Sequence, residues 1–433
     1  MPSRPALPLR PESIDQLNGQ VPDWLVASRR QGLGFFEKLD MPSSAEEVWR
    51  YVDLPFRLED LMLAPPPAAG MDDGDDVAGS LGSMAGQATI IDGTVTDLQV
   101  NEEGVVFVSL RDGLADHEDA LSVLFGSGIA PDLDVFSAAH HAFAHDGVFL
   151  KVPANRSVER PFYIDVQATA EGTVSFPHIT LAIEANAEAS VVVGFRSPAG
   201  IFLVVNPQIE AFVNDGARLK LSTVQRFGYD THSIAHERVL IGRDANARLG
   251  EVGLGGRLGR LHLTLDVAGR GASTDLVGLY FGEQEQTLDY RLFMNHLGSN
   301  TSSNVFLKGA VEDDARSVFT GLVKIEKDIA KVSAFETNRN LVLSEGASAH
   351  SVPNLEILSN DVICGHGSTV GPLEEEPLYY LMSRGLSEAR AARLLVHGFF
   401  EEVINRLPHP ALAAPVREAV NRKFVQAQQE GRV

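Results

Sequence analysis

A weak internal repeat in the second half of the chain limits the folds that it can adopt. Short alternating runs recur there, and most of them begin with a small or turn residue followed by alanine. The repeated alanines are Ala189, Ala217, Ala247, Ala272, Ala315, Ala330 and Ala347. Apart from a longer interval between Ala272 and Ala315, the alanines recur at intervals of about 15 or about 30 residues. Such intervals are typical of a stacked coil of strands. Alanine fits the close packing between the turns of such a coil.

The repeat predicts a mainly β fold whose core is a right-handed parallel β-helix, also called a β-solenoid. Strand-like runs such as GVVFVSL and ASVVVGF are short, and turn residues separate them from about residue 88 to residue 370. The same region has no long helical pattern, which argues against alternating strands and helices. A sandwich of two sheets is the alternative that the irregular intervals leave open.

The helical patterns lie at the two ends of the chain. Hydrophobic spacing predicts an N-terminal helical region at 1–62 and a C-terminal helical region at 372–433. They flank the predicted β-helix core at 88–371. Between the first helical region and the core, residues 63–87 are rich in Pro, Gly, Ala and Asp, which predicts a flexible linker.

The charge balance excludes several classes of partner. The chain carries 58 acidic and 36 basic side chains, a net charge of −22, so its surface repels nucleic acid and anionic lipid. No apolar stretch is long enough to be a transmembrane segment, and the N-terminus lacks the apolar core of a signal peptide. A single cysteine fits a reducing compartment, which predicts a cytoplasmic location. In the linker, a solvated charged loop is favoured over a cation site for the cluster of Asp72, Asp73, Asp75 and Asp76.

The segment NDVICGHGSTVG, residues 360–371, contains the only cysteine, Cys364, and His366 two positions later. Its glycines fit a dinucleotide loop, but no strand–helix–strand unit follows, so we expect no NAD site. The chain also lacks a phosphate-binding G-x-x-x-x-G-K-[ST] loop, so we expect it to bind no ATP. In an extended segment the thiol and the imidazole point to one side and suit one borderline metal ion. Two ligands do not close a site, and spacing alone favours a buried thiol beside a turn histidine.

Other histidines give weaker signals. The run HHAFAH contains His140, His141 and His145, and on a helix the last two would share one face, as metal ligands do. No third ligand is evident nearby, so a polar surface is the favoured interpretation. His296 lies among Asn, Thr and Ser residues, where we expect a hydrogen-bonded structural histidine on a turn.

The segment from Asn300 to Leu407 contains a series of distinctive pieces, which are, in chain order, SVFTG, AFETNRNLVLSEGA, PNLEI, DV-C-HG-TVG, LYYLMSRG and a helix ending in GFF. In these pieces the chain resembles the SufB/SufD family of iron–sulfur cluster assembly proteins. The N-terminal segment PDWLVASRRQGLGFFEKLDMPSSAEEVWRYVDL resembles the SufD branch. CGHGSTVG also replaces the Glu-His-Glu-Ala pattern of SufB-like chains. Within the family the sequence is therefore most similar to SufD.

The resemblance implies a β-helix core between helical ends, and a scaffold that is not itself an enzyme. It implies a complex with a SufB-like paralogue and a SufC-like ABC ATPase, and a homodimer stays open. Cys364 and His366 would bind iron or a transient Fe–S cluster, as half of a site at the interface with the SufB-like partner. The C-terminal helices would contact the ATPase through Tyr379, Tyr380, Ser383, Arg384, Gly385 and Phe399. The alternatives are a carbohydrate-active β-helix enzyme and a purely structural subunit in which Cys364 and His366 only pack.

Overall fold

The computed structural model describes most of the chain, with side chains as far as residue 424. The described residues are 6–19, 21–67, 69–71, 74 and 76–429. Three aspartates of the predicted acidic cluster therefore lie outside the described residues: Asp72, Asp73 and Asp75. The fourth, Asp76, accepts hydrogen bonds from Arg226 and Arg422. Its carboxylate thus joins a strand of the core to the last helix.

Two long sheets, sheet A and sheet B, form the centre of the molecule. The thirteen strands of sheet A are β1 (Leu7–Pro8), β2 (Met62–Leu63), β5 (Val106–Ser109), β6 (Gly147–Val152), β8 (Thr173–Ser175), β9 (His178–Ile183), β11 (Leu203–Val205), β12 (Gln208–Val213), β14 (Thr231–Ile241), β16 (Leu258–Val267), β18 (Thr287–His296), β20 (Arg316–Ile325) and β22 (Ser348–Ile357). The ten strands of sheet B are β3 (Gly86–Ile91), β4 (Thr94–Val100), β7 (Phe162–Gln167), β10 (Glu188–Arg196), β13 (Arg218–Arg226), β15 (Asn246–Gly253), β17 (Ser273–Gly282), β19 (Ser302–Val311), β21 (Val332–Val342) and β23 (Val362–Gly371).

From β13 onward the chain alternates between the sheets, and each strand pairs in parallel with a strand of the turn before it and, except for the last two strands, with a strand of the turn after it. The result is a β-solenoid of about eight turns, which confirms the predicted β-helix and excludes the sandwich. From β10 onward the strands of sheet B begin at a regular spacing of about 30 residues, which is a usual length for a solenoid repeat. The shorter alanine intervals arise because Ala315 and Ala347 precede strands of sheet A, whereas Ala330 precedes a strand of sheet B.

One corner of the solenoid repeats the same backbone conformation in six successive turns. Each corner residue has positive φ and donates its backbone N–H to a carbonyl of the next turn. These residues are Asn186, Gly216, Asp244, Gly271, Asn300 and Lys331. Asn, Asp and Gly tolerate this left-handed conformation better than other residues. A Cβ at Gly216 would lie 2.3 Å from Oδ1 of Asn186, so the alternation of Gly with Asn or Asp also provides room.

Helices cover parts of the outer faces. They are α1 (Pro11–Asn18), α2 (Asp23–Phe36), α3 (Asp76–Leu81), α4 (Leu110–Asp116), α5 (Glu118–Leu124), α6 (Val135–Phe143), α7 (Glu375–Ser383), α8 (Glu388–Ile404) and α9 (Ala413–Gln429). Among the residues that the structure describes, three short 3₁₀ helices span Glu47–Trp49, Leu58–Asp60 and Pro410–Leu412. The division into regions at 62, 87 and 371 stays a prediction. Within it, α3 lies in the segment predicted as a linker, and α4, α5 and α6 lie in the segment predicted as the β-helix core.

The C-terminal helices pack on the outer face of sheet B. The ring of Phe281 in β17 lies 6.0 Å from the ring of Phe400 in α8 and 5.1 Å from that of Phe424 in α9. The helix α7 ends at Ser383, two residues before Gly385, which has a φ of +92°. The helix α8 begins after Ser387, whose hydroxyl accepts from the backbone N–H of Arg390. Among the described residues, no helix is both long and apolar enough to cross a membrane.

Candidate metal centre

The candidate site lies at the end of two columns of side chains that face the solenoid interior. Residues paired in register on parallel strands project to the same side of the sheet. The first column contains Phe162, Val191, Leu221, Leu249, Leu276, Val305, Glu336 and His366. The second contains Ala189, Leu219, Ala247, Thr274, Ser303, Ala334 and Cys364. The first column is apolar for six turns and then changes to a carboxyl and an imidazole.

Cys364 and His366 lie on β23, the last strand of sheet B. The segment with the glycine pattern is thus a continuous strand from Val362 to Gly371, not a turn or a phosphate-binding loop. Cys364 is partly buried and packs against the main apolar core. His366 is exposed. Both side chains project to the side on which Ala334 of the preceding turn is buried.

The last turn is open. Among the described residues, β23 pairs only with β21 and β22 pairs only with β20, so each strand leaves one edge without a partner. Apolar side chains are exposed there, including Ile363 at 69% and Val370 at 45%. The described residues contain no group of three or more His, Cys, Asp or Glu side chains arranged to hold a metal ion. As they lie, Cys364 and His366 are therefore at most part of a metal site.

Glu336 is a third titratable side chain at this end, and sequence reasoning missed it. It is 2% exposed, and neither carboxyl oxygen has a hydrogen-bond partner among the described residues. Burial raises the pKa of Glu336 to about 7. Its side chain crosses the interior to β20, where a Cβ on Gly321 would lie 2.1 Å from Oε1. The signal in the sequence is the acid at an inward position of the alternating strand VSAFETNRN.

A buried polar network holds the strand that carries Glu336. Asn338, two residues after Glu336, donates to the hydroxyl of Tyr280 at 3.0 Å, and that hydroxyl donates to Oδ1 of Asn340 at 2.6 Å. Asn340 donates to Oδ1 of Asn338 at 2.6 Å, and Ser351 donates to the same oxygen at 2.8 Å. Every one of these side chains has a partner, so the network fixes the strands on both sides of the interior next to the candidate site.

The residues predicted to contact an ATPase fall into two groups. Tyr379 and Tyr380 are 66% and 58% exposed on α7, a helix without a buried residue. Arg384 lies over the ring of Tyr380 at 5.2 Å, and Ser383 donates to the carbonyl of Tyr380 at 2.7 Å. Together with Gly385 these side chains form one exposed surface, which we call the α7 surface. Phe399 lies apart from it, partly buried against the solenoid.

The polar-surface interpretation of HHAFAH is wrong for two of the three histidines. His140 and His141 are 1% and 8% exposed, because α6 lies between α2 and sheet A. Nδ1 of His140 lies 2.9 Å from the carbonyl of Asn206, and its Nε2 lies 3.0 Å from Nδ1 of His178. Burial lowers the pKa of both histidines. The helix ends at Phe143, so His145 does not continue the helical face.

The prediction for His296 is confirmed, except that it ends a strand rather than lying within the turn. It is 0% exposed. Its Nδ1 lies 2.8 Å from the hydroxyl of Thr301 and its Nε2 lies 2.8 Å from that of Ser303. Burial lowers the pKa of His296 to about 4, so the ring is neutral at pH 7 and braces the turn between β18 and β19.

Comparison with known proteins points to one family. Residues 166–399 match the SufBD core domain of the SUF system for FeS cluster assembly. An iron-sulfur cluster assembly SufBD family protein of Mycobacterium bovis is 32% identical over 396 residues, which are 90% of this chain and 90% of that protein. The iron-sulfur cluster assembly protein SufD of Bacillus subtilis is 27% identical over 423 residues, covering 93% and 95% of the two chains. Protein ABCI7, chloroplastic, of Arabidopsis thaliana is 28% identical over 348 residues, covering 77% and 72%.

Proposed function

Because the chain belongs to the SufB/SufD family of iron–sulfur cluster assembly proteins, we propose that it is a scaffold subunit and not an enzyme. In this proposal a SufB-like paralogue binds its last turn, and a SufC-like ABC ATPase binds its C-terminal helices. An iron–sulfur cluster, which is the cargo of the assembly, forms at the interface between the two paralogues. The chain itself binds no ATP and no NAD, and it works in the cytoplasm. Family membership favours this role over that of a carbohydrate-active enzyme.

The observation that carries the proposal is the pair of potential ligands on an open end strand. Cys364 and His366 project to one side of β23, and a thiolate with an imidazole suits iron. The unpaired edges of β22 and β23 and the exposed Ile363 and Val370 suit association with another chain. A partner docked there would supply the ligands that this chain lacks. We propose the paralogue in preference to a second copy, because one cysteine per chain gives a homodimer only two thiolates.

The test of the half-site is reconstitution of the purified complex. The chain is co-expressed with its SufB-like paralogue and its ATPase, and the complex is reconstituted anaerobically with iron and sulfide. We expect His366→Ala and Cys364→Ser to lower the visible absorption of the cluster at least severalfold while the complex still co-purifies. Ser368→Ala, also exposed on the same side of β23, is the matched control and should match the wild type. Unchanged cluster absorption in both ligand variants would contradict the proposal.

The α7 surface is the second part of the proposal. We expect the double substitution Tyr379→Ala/Tyr380→Ala to reduce co-purification of the ATPase and to leave the paralogue bound. Val123→Ala, which removes a side chain that is 68% exposed on α5, serves as the control. If the double variant retained the ATPase fully, α7 would not be part of the interface with the ATPase. Size-exclusion chromatography with light scattering on the chain alone measures whether a homodimer forms as well.

A further inference from the structure

We propose that Glu336 is a third protein ligand of the metal ion that binds at Cys364 and His366, with iron(II) as the intended ion. The inference rests on the proposed function, because that function supplies the other two ligands. It names a residue that the sequence motif does not include. Two observations carry it: the register of Glu336, and the absence of partners for its carboxyl oxygens among the described residues.

The register brings Glu336 next to His366. The two residues are paired on β21 and β23, and neighbouring strands lie about 4.8 Å apart. Cys364 is paired in the same way with Ala334, whose small side chain adds nothing that could bind a metal. In the first column the six preceding residues are apolar, so no other carboxyl of that column is available to the site.

The carboxyl group of Glu336 lacks the hydrogen-bond partners that a buried polar group normally has. It is 2% exposed, and neither Oε1 nor Oε2 has a hydrogen-bond partner among the described residues. Burying a polar group without a partner is unfavourable, because the contacts with water are not replaced. A cation at the open end would supply the missing partner. An oxygen, a nitrogen and a sulfur ligand together suit a borderline divalent ion.

In the inferred metal-bound state, the side chain of Glu336 differs from its position in the structure. Its carboxyl group lies across the interior against Gly321, which has no side chain to hold it there. Rotation about the side-chain torsions of Glu336 turns it toward β23. Metal binding then forms a metal–sulfur bond as the Cys364 thiol releases its proton to solvent at the exposed end. The Glu336 carboxyl, where it is protonated, releases its proton to solvent in the same way, and no electron is transferred. The thiolate and the carboxylate together neutralise the charge of the divalent ion.

Cobalt(II) binding to the purified chain tests the inference without the partner complex. Under anaerobic conditions we expect the wild type to bind cobalt(II) with a thiolate-to-metal absorption band. Glu336→Gln keeps the shape of the side chain, and we expect it to weaken binding by about tenfold or more. Glu336→Leu restores the apolar column, should fold at least as well as the wild type, and should weaken binding to the same degree. The matched control is Glu237→Gln, which changes another buried and partly unpartnered carboxyl of the interior.

The possible outcomes separate the inference from the proposed function. If His366→Ala and Cys364→Ser weaken cobalt binding while both Glu336 variants bind like the wild type, the inference is wrong and the proposed half-site stands. If none of the four substitutions changes binding, the half-site itself is wrong. A wild-type chain that binds no cobalt(II) would also overturn the inference, because three ligands in one chain do not need a partner. Equal weakening by Glu237→Gln would show a general effect of buried charge and would overturn it too.

Discussion

Glu210 and Glu336 are both buried carboxyl groups, but they differ in their hydrogen bonds. Glu210, under the helices near the start of the solenoid, is 0% exposed and accepts from the backbone N–H groups of Gly126, Gly128 and Ile129 at 2.7, 2.7 and 2.9 Å. Glu336, at the last turn, is buried to a similar degree and has no partner among the described residues. A satisfied carboxylate holds a fold together, whereas an unsatisfied one is available to a ligand.

A pair of buried carboxyl groups in the middle of the solenoid is intermediate in its hydrogen bonding. Glu237 and Glu251 are 4% and 2% exposed and line an interior cavity of about 40 Å³ with Thr223 and Tyr290. Glu251 accepts one hydrogen bond, from Thr223, and one oxygen of each carboxyl has no partner among the described residues. Burial raises the pKa of Glu237, and burial together with Glu237 raises the pKa of Glu251. Held in their protonated form, these two groups need no counter-ion.

The largest effect on stability is expected at Glu210. Glu210→Ala removes the acceptor of three backbone N–H groups and the carboxylate beside His178, and we expect a loss of about 3–5 kcal/mol in the free energy of unfolding. Burial acts to raise the pKa of Glu210, but His178 and the backbone donors lower it below its usual value. The stabilisation is therefore complete above the ordinary pKa and is lost as pH falls through the lowered one. Urea unfolding at pH 7 and pH 4 measures both effects, and a loss at pH 7 below about 1 kcal/mol, the size of one ordinary hydrogen bond, would contradict this account.

A pH-dependent effect of intermediate size is expected at Glu251. Because its pKa is raised on folding, the wild type loses stability as pH rises above the ordinary value of 4.5, by up to about 1.4 kcal/mol per pH unit. Glu251→Gln cannot ionise, and its amide oxygen can accept from Thr223 as the carboxyl does. Its advantage over the wild type should grow between pH 5 and pH 8 (a window set by the raised pKa). If the difference in the free energy of unfolding between the two proteins stayed constant across that pH range, the wild-type carboxyl would not be held protonated.

A smaller effect is expected where Gly321 faces Glu336. A Cβ there would meet the carboxyl group at 2.1 Å, so Gly321→Ala should cost about 1–3 kcal/mol in the wild type. The same substitution in the Glu336→Ala background should cost much less. A double-mutant cycle by urea unfolding gives the coupling energy. A coupling near zero would mean that the carboxyl group does not occupy this space in solution.

The smallest effect is expected at Cys364. Its thiol is only partly buried against the apolar core, so Cys364→Ser should cost about 1 kcal/mol or less. Thermal unfolding of the variant measures this cost. A much larger loss would indicate that Cys364 serves mainly in packing, as in the purely structural alternative.

The solenoid could be predicted from the sequence because its signals are local. Small residues beside Asn, Asp and Gly mark the repeated corner, and Cys364 and His366 are two positions apart on an extended segment. The buried histidines were mispredicted because their surroundings are distant in the chain: α6 is covered by α2, which already ends at Phe36. Glu336 was missed for a related reason. An acid in VSAFETNRN indicates an exposed position until the register of β21 shows that it faces inward.

The repeated left-handed corner also bears on how such a chain can change in length. Since each turn uses the same corner and a similar length of chain, an insertion or deletion of one whole turn preserves all remaining corners, whereas a partial one breaks the stack. A turn gained before β17 would leave α8 in place against β17 and β19 and the candidate site at its present distance from the α7 surface. A turn gained after β19 would move the site away by the spacing of one strand, about 4.8 Å. We therefore expect evolutionary length variation in this solenoid to occur in whole turns, and on the N-terminal side of β17.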